Sequence, residues 1–150
     1  KAKASSLGLS QTEVAILASI VQSEQAAHPN ERPVIAGLYL NRLRKGMKLD
    51  SDPTLIKALG DYSIKRVLKI HKEIDSPFNT YMYAGLPPEP ILLPETSSID
   101  AVLNAETHNY LFMCAKEDFS GYHNFTSSYR EHINNARRYQ RALNERKIYR

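Results

Sequence analysis

One carboxylate in this chain stands where a carboxylate is costly. Leu17, Ile20 and Val21 form an apolar stripe, and Glu24 follows them at helical spacing on the same face. Burial there disfavours the charged form and raises the pKa. A carboxylic acid still protonated near neutral pH can give its proton to a glycosidic oxygen. The same pattern also fits a structural glutamate bonded to a backbone group or to a cation such as Arg32 or Arg42. Gln22 and Ser23 point elsewhere on the helix and read as surface or supporting residues.

Other residues could build a site around it. Asp50-Ser51-Asp52-Pro53-Thr54 is a cluster of small polar residues. It reads as a turn with Asp52 capping a helix and Pro53 in its first turn, and equally as the polar wall of a cleft. Two aspartates and a serine are too few hard ligands for a metal. Asn79-Thr80-Tyr81, then Gly85-Leu86-Pro87-Pro88-Glu89-Pro90-Ile91, form a rigid rim along which a saccharide or peptide could lie. Tyr81 and Tyr83 could stack on sugars or pack inward. His28, His71, His108, His123 and His132 are scattered, without zinc-type spacing. Cys114, the single cysteine, lies in an apolar run and reads as a core residue; it can form no internal disulfide. No phosphate-binding glycine loop or dinucleotide fingerprint is present.

Several elements must position these groups. Ser10 and Glu13 have capping-box spacing and open a helix running to about Ala27, where His28-Pro29 stops it. A second helix begins near Glu31-Arg32-Pro33 and ends near Lys45-Gly46; it is apolar on every side through Leu40, so it should be buried. Gly37 inside it predicts the close approach of another backbone. Short helices are expected over 54–59 and 63–74, a strand at 80–83, and a helix capped by Ser98 reaching Asn104. Residues 110–115 read as a central strand and 123–125 as its return. The last helix is expected to start at Thr126 or Ser127, with Ser128 and Glu131 at capping-box spacing and Tyr129, Ile133, Ala136, Gln140 and Leu143 along one face. These periodicities predict an α+β fold: a buried helical core carrying Glu24, and a small β-sheet including 110–115 and 80–83.

With 150 residues the chain is one domain in size, enough for a core without staples. Its net charge is +4. Residues 137–150 carry six basic side chains and one acid, so the remainder carries 4 − 5 = −1. The basicity therefore belongs to a terminal helix face, which argues against a nucleic-acid partner. No apolar stretch approaches the roughly 18 residues that span a bilayer, and no signal peptide is visible.

Taken in order, the segments 17–24, 31–43, 46–54, 79–81, 85–91, 98–103, 110–112 and 123–125, with Glu131-His132, resemble the MltG/YceG-like family of endolytic murein transglycosylases. Each piece is weak, but the ordered set is specific and spans most of 10–135. The resemblance implies an α+β fold with a lysozyme-like catalytic helix carrying Glu24 as the catalytic acid and base. Ser51, Asp52, Thr54, Asn79, Thr80, Tyr81 and Gly85 are the candidate substrate-binding residues, with no metal and no cofactor. Gln22 stands where the family often has an acid, Gln25 where it has Thr, Glu89 where it has Gly, and Ile133 where it has Asn.

The implied reaction cleaves the β-1,4 bond between N-acetylmuramic acid and N-acetylglucosamine, leaving a 1,6-anhydro end. The implied partners are peptidoglycan glycan strands, with cell-wall synthesis proteins as further candidates. Residues 1–9 are expected to be a lead-in and 10–150 a single catalytic domain. The family's membrane anchor and LysM-like region are not in this sequence. The resemblance puts the full-length protein in the cytoplasmic membrane, with this domain on its outer, periplasmic face in the cell envelope. Two alternatives are a non-catalytic peptidoglycan-binding module and a basic adaptor working through Arg137–Arg150.

Overall fold

The computed structural model describes residues 2–148. Lys1 of the expected lead-in and Arg150 of the basic terminus lie outside them. Among the described residues the fold is α+β, with six α-helices and a two-stranded antiparallel sheet. The helices are α1 (Ala2–Ser6), α2 (Gln11–Glu24), α3 (Arg32–Arg44), α4 (Asp52–Leu59), α5 (Thr96–Leu103) and α6 (Tyr129–Glu145). The strands are β1 (Phe112–Ala115) and β2 (His123–Thr126).

The core forms where α2 meets α3 and α5. Val14, Ile16, Leu17, Ala18, Ile20 and Val21 of α2 pack with Ile35, Ala36, Leu38, Tyr39 and Leu40 of α3 and with Val102 of α5. The capping box is formed: the Ser10 hydroxyl accepts from the Glu13 amide at 3.1 Å, and the Glu13 carboxylate accepts from the Ser10 amide at 2.9 Å. This satisfies amides at the start of α2 that have no partner within the helix. α2 ends at Glu24, three residues before the expected Ala27.

α3 carries the predicted close approach. A Cβ on Gly37 would meet the Glu106 carbonyl oxygen at 2.2 Å and His108 Nε2 at 2.8 Å. The polar groups of α3 hold the segment that passes there. Asn41 Nδ2 donates to the carbonyls of His108 (2.9 Å) and Tyr110 (3.0 Å). Arg42 Nε donates to the Leu111 carbonyl and its Nη1 to that of Lys48, both at 2.6 Å. One helix therefore fixes both the entry to β1 and the chain leading into α4.

β1 and β2 pair from Phe112 opposite Thr126 to Ala115 opposite His123, and α6 packs across the hairpin. β1 is half-buried throughout, not a central strand, because it has a single partner strand. Cys114 is accordingly half-buried and not a core residue.

Other expectations are corrected. Residues 2–6 form a short helix whose Ala4 is buried, although they lack a repeating apolar pattern. Only Lys69–Glu73 of the expected 63–74 helix is helical, as a 3-10 turn. Residues 80–83 form no strand: the Asn79 carbonyl accepts from the amides of Met82 and Tyr83, curling the chain into a turn. α4 begins at Asp52 with Ser51 before it, so Asp52 is not the cap. Ser98 lies inside α5, where its hydroxyl accepts from Arg32 (3.1 Å) and donates to Gln22 (2.9 Å). Gln22 thus anchors α5 as a half-buried supporting residue.

Gly37→Ala is expected to destabilise the domain by about 1–3 kcal/mol, the usual cost of overpacking, despite the better helix propensity of alanine. Thermal or urea unfolding checks this; unchanged stability would mean that the 106–108 backbone yields freely.

Candidate active site

Glu24 is the last residue of α2, and this places its carboxyl at the helix end, on the floor of a cleft of about 500 Å³. Tyr39, projecting from α3, is almost wholly buried, and its hydroxyl donates to Glu24 Oε2. A buried tyrosine hydroxyl needs a partner, and here the partner is the carboxylate. Neither Arg32 nor Arg42 neutralises Glu24; both are committed to backbone carbonyls and other side chains.

This environment sets the acidity. Desolvation pushes the Glu24 pKa from 4.5 up to about 8. The hydrogen bond from Tyr39 opposes the rise, the nearby negative charge of Asp52 adds to it, and Ser51 opposes it slightly. Glu24 remains partly open to the cleft, so its carboxyl is both crowded by protein and reachable. The Tyr39 hydroxyl is held well above its ordinary range, first by desolvation and then by Glu24, so it stays a donor. Ser51 Oγ is fully buried without a partner at hydrogen-bonding geometry. Its influence on Glu24 is therefore that of a close dipole, not of a formed bond.

Asp52 and Tyr81 form the next part of the cleft. The Tyr81 hydroxyl donates to Asp52 Oδ1, and Lys72 Nζ lies 4.5 Å from the Tyr81 ring centre. Desolvation raises the Asp52 pKa, against the pull of Tyr81 and Lys72, although the residue still reaches solvent. Asp50 also lines the cleft and adopts φ 50, a left-handed conformation that aspartate tolerates better than most residues.

The remaining sequence candidates sit behind this wall. Thr80 Oγ1 accepts from the Ser51 amide at 2.9 Å and meets Thr54 Oγ1 at 2.8 Å. Asn79 Nδ2 donates to the carbonyls of Lys72 (3.0 Å) and Ile74 (2.8 Å), while its Oδ1 accepts from the Tyr81 amide at 3.0 Å. Thr54, Asn79 and Thr80 are buried and fasten the 50–54 turn to the 79–81 turn. Gly85, at φ 88, turns the proline-rich loop and does not line the cleft. Tyr83 lines a separate shallow hollow with Asp75, Pro77, Leu86 and Pro88.

The opposite wall is absent from the sequence-based reading of the site. It consists of Met113, Cys114 and Ala115 of β1, His123 of β2, and Tyr129, His132, Ile133, Ala136, Tyr139 and Gln140 of α6. Four of these α6 residues belong to the face that the sequence marked as amphipathic, so that face covers a cleft as well as the core. Tyr39 and Lys72 were further omissions; for Tyr39 the sequence held a clue: a tyrosine in an otherwise apolar buried helix requires a polar partner.

The fold and this arrangement fit a recognised class. The YceG-like family model matches residues 1–138. The chain belongs to the YceG-like family. It is 38% identical over 130 residues to the endolytic murein transglycosylase of Bacillus subtilis (strain 168), covering 87% of this chain and 35% of that protein. It is 32% identical over 114 residues to the protein of the same name from Streptococcus pneumoniae serotype 2 (strain D39), covering 73% of this chain and 20% of that one. The structure matches that of a yceG-like protein from Listeria monocytogenes with a TM-score of 0.80 and 33% identity, over 89% of this chain and 42% of that one. The chain thus spans less than half the length of each of these relatives.

A carboxyl raised from 4.5 to about 8 binds a proton in the folded state that the unfolded chain has already lost between those values. Stability from this group is therefore full below pH 4.5 and declines as pH rises to about 8, by about 1.4 kcal/mol per pKa unit at most. Unfolding of Glu24→Gln should show less of this decline; an identical pH dependence would contradict the assigned acidity. Because the Tyr39 hydrogen bond favours the carboxylate, Tyr39→Phe should move the Glu24 pKa higher still, as read by carboxyl infrared or NMR titration.

Proposed function

We propose that this domain is a lytic transglycosylase acting on peptidoglycan, with Glu24 as both general acid and general base. The supporting observation is a carboxyl with a pKa of about 8 on the floor of an open cleft, held by a tyrosine hydroxyl instead of a cation. The names of the relatives in Bacillus and Streptococcus point the same way.

The chemistry follows from one group's two protonation states. At neutral pH Glu24 is mostly protonated and gives its proton to the glycosidic oxygen between N-acetylmuramic acid and N-acetylglucosamine. The bond from that oxygen to C1 of the muramic acid breaks, and an oxocarbenium-like charge develops at C1. The carboxylate left on Glu24 then takes the proton of the C6 hydroxyl, whose oxygen bonds to C1. No water is consumed, and the product ends in a 1,6-anhydro sugar. Nucleophile and electrophile share one ring, which favours closure.

Tyr39 fits this cycle because its bond to Glu24 strengthens when the carboxylate forms. Asp52, oriented by Tyr81, supplies negative charge beside the developing cation. Ser51 Oγ remains an unspent hydroxyl close to Glu24. Thr54, Asn79 and Thr80 support these groups through the two turns they fasten. No step calls for a metal or cofactor.

Asp52 in the same cleft also favours a second reading, in which it activates water and the enzyme hydrolyses the bond with a pair of carboxylates. The hydrolytic product is one water heavier, so mass analysis separates the two. The proposed setting is the cell envelope, with the full-length protein anchored in the cytoplasmic membrane, this domain outside it, and glycan strands as substrate. Cell-wall synthesis proteins are the proposed partners there.

Glu24→Gln keeps the shape of the side chain and removes its proton. Release of anhydro-muropeptides from purified sacculi should fall at least ~10²–10⁴-fold, at equal folded fractions judged by circular dichroism. Release near the wild-type level would refute single-carboxylate catalysis and leave Glu24 a structural acid.

A further inference from the structure

A second buried carboxylate is unused by this mechanism. Glu31, just before α3, is 8% exposed and accepts three hydrogen bonds. Gln25 Nε2 donates to its Oε1 at 2.7 Å, the His123 amide to its Oε2 at 3.1 Å, and His123 Nδ1 to its Oε1 at 2.6 Å. Gln25 directly follows Glu24 and also donates to the Gly121 carbonyl at 2.8 Å, while its Oε1 accepts from the His28 amide at 3.1 Å. These contacts fix the orientation of the Gln25 amide. One carboxylate thus joins the end of the catalytic helix to the first residue of β2.

The tautomer of His123 follows. An ionised carboxylate only accepts, so in the neutral imidazole the proton lies on Nδ1, facing Glu31. The other nitrogen, Nε2, has no protein partner among the described residues, and it is not one of the buried unpaired atoms. The His123 ring lines the cleft that Glu24 floors. A buried anion satisfied by three donors costs desolvation that a neutral side chain would avoid. Its product here is an imidazole held in one tautomer, whose second nitrogen is left without a protein partner on a ring that lines the cleft.

We propose that His123 is a glycan-binding residue of this cleft: Glu31 fixes its Nδ1–H, and Nε2 accepts a hydrogen bond from a sugar hydroxyl or acetamido N–H. Glu31 and Gln25 are positioning residues that act through it. This rests on reading the cleft as a glycan site. It also gives Gln25, a departure from the family's Thr, a defined task, because it ties the catalytic helix to the histidine's support.

The test uses Glu24→Gln, which stops turnover, with purified glycan strands of alternating N-acetylglucosamine and N-acetylmuramic acid as probe. Side-chain 15N NMR should show His123 protonated at Nδ1 and bare at Nε2, and adding glycan should move the Nε2 resonance. On the same background, His123→Phe should weaken glycan binding about tenfold, as expected for one hydrogen bond to a neutral group, and His123→Gln should restore part of it. An Nε2 resonance that stays still at saturating glycan overturns the proposal. So does a His123→Phe variant that binds as tightly; if that variant fails to fold, the NMR measurement decides alone. A shifted Nε2 with no anhydro product from the wild type would remove catalysis and keep the histidine's role. Anhydro product with an unmoved Nε2 would do the reverse, and no glycan binding at all would remove both.

Discussion

The desolvated contact between Glu24 and Tyr39 is the constraint on which the rest of the structure depends. A carboxyl in apolar surroundings resists ionising, and the tyrosine limits how far this goes without abolishing it. An arginine in the same place would favour the charged form, leaving an ordinary carboxylate and no acid at neutral pH. The pairing requires two helices to present one polar group each at the same point of an otherwise apolar interface. Ile20 and Val21 on α2 and Leu38 on α3 belong to the same buried apolar cluster as Tyr39.

The helix that provides Tyr39 also organises the cleft walls. α3 is buried nearly all round, and, Tyr39 apart, its buried polar side chains bond mainly to backbone carbonyls of neighbouring segments. Arg32 holds the end of α2 and the start of α5, Asn41 and Arg42 hold the approach to β1, and Arg42 also holds the chain before α4. Side chains that satisfy carbonyls of irregular segments let those segments lie against a core where water cannot reach them. Loops so fastened hold groups such as Asp52 and Tyr81 in fixed positions at the cleft.

A division of labour results. Thr54, Asn79 and Thr80 have their polar atoms committed to one another and to the backbone, so they position other groups. Glu24, Asp52, Tyr81 and His123 keep part of their surface in the cleft. Polar residues near a site thus separate by whether their hydrogen-bonding capacity is already used, a distinction that residue type alone does not make.

Local rules determined much of this protein from sequence. The capping box, Gly37 and the Ser128 cap mark features decided within a few residues or by a steric demand of one position, and the structure contains each of them. The place of Glu24 at the end of an apolar stripe was equally legible, since helical periodicity alone puts it on the core face. The 80–83 segment was misread because alternating aromatic residues suit a strand, whereas Asn79 satisfies the local backbone and makes a turn. Ser98 was misread because a serine that fits a cap also fits a buried partner for Arg32, and nothing within the local sequence reveals the arginine. Only tertiary structure decided that Tyr39 meets Glu24, that α6 and β1 close the second wall, and that Glu31 meets His123. Each joins residues far apart along the chain or on separate helices. Their proximity depends on how whole elements pack, and no spacing within a segment encodes it.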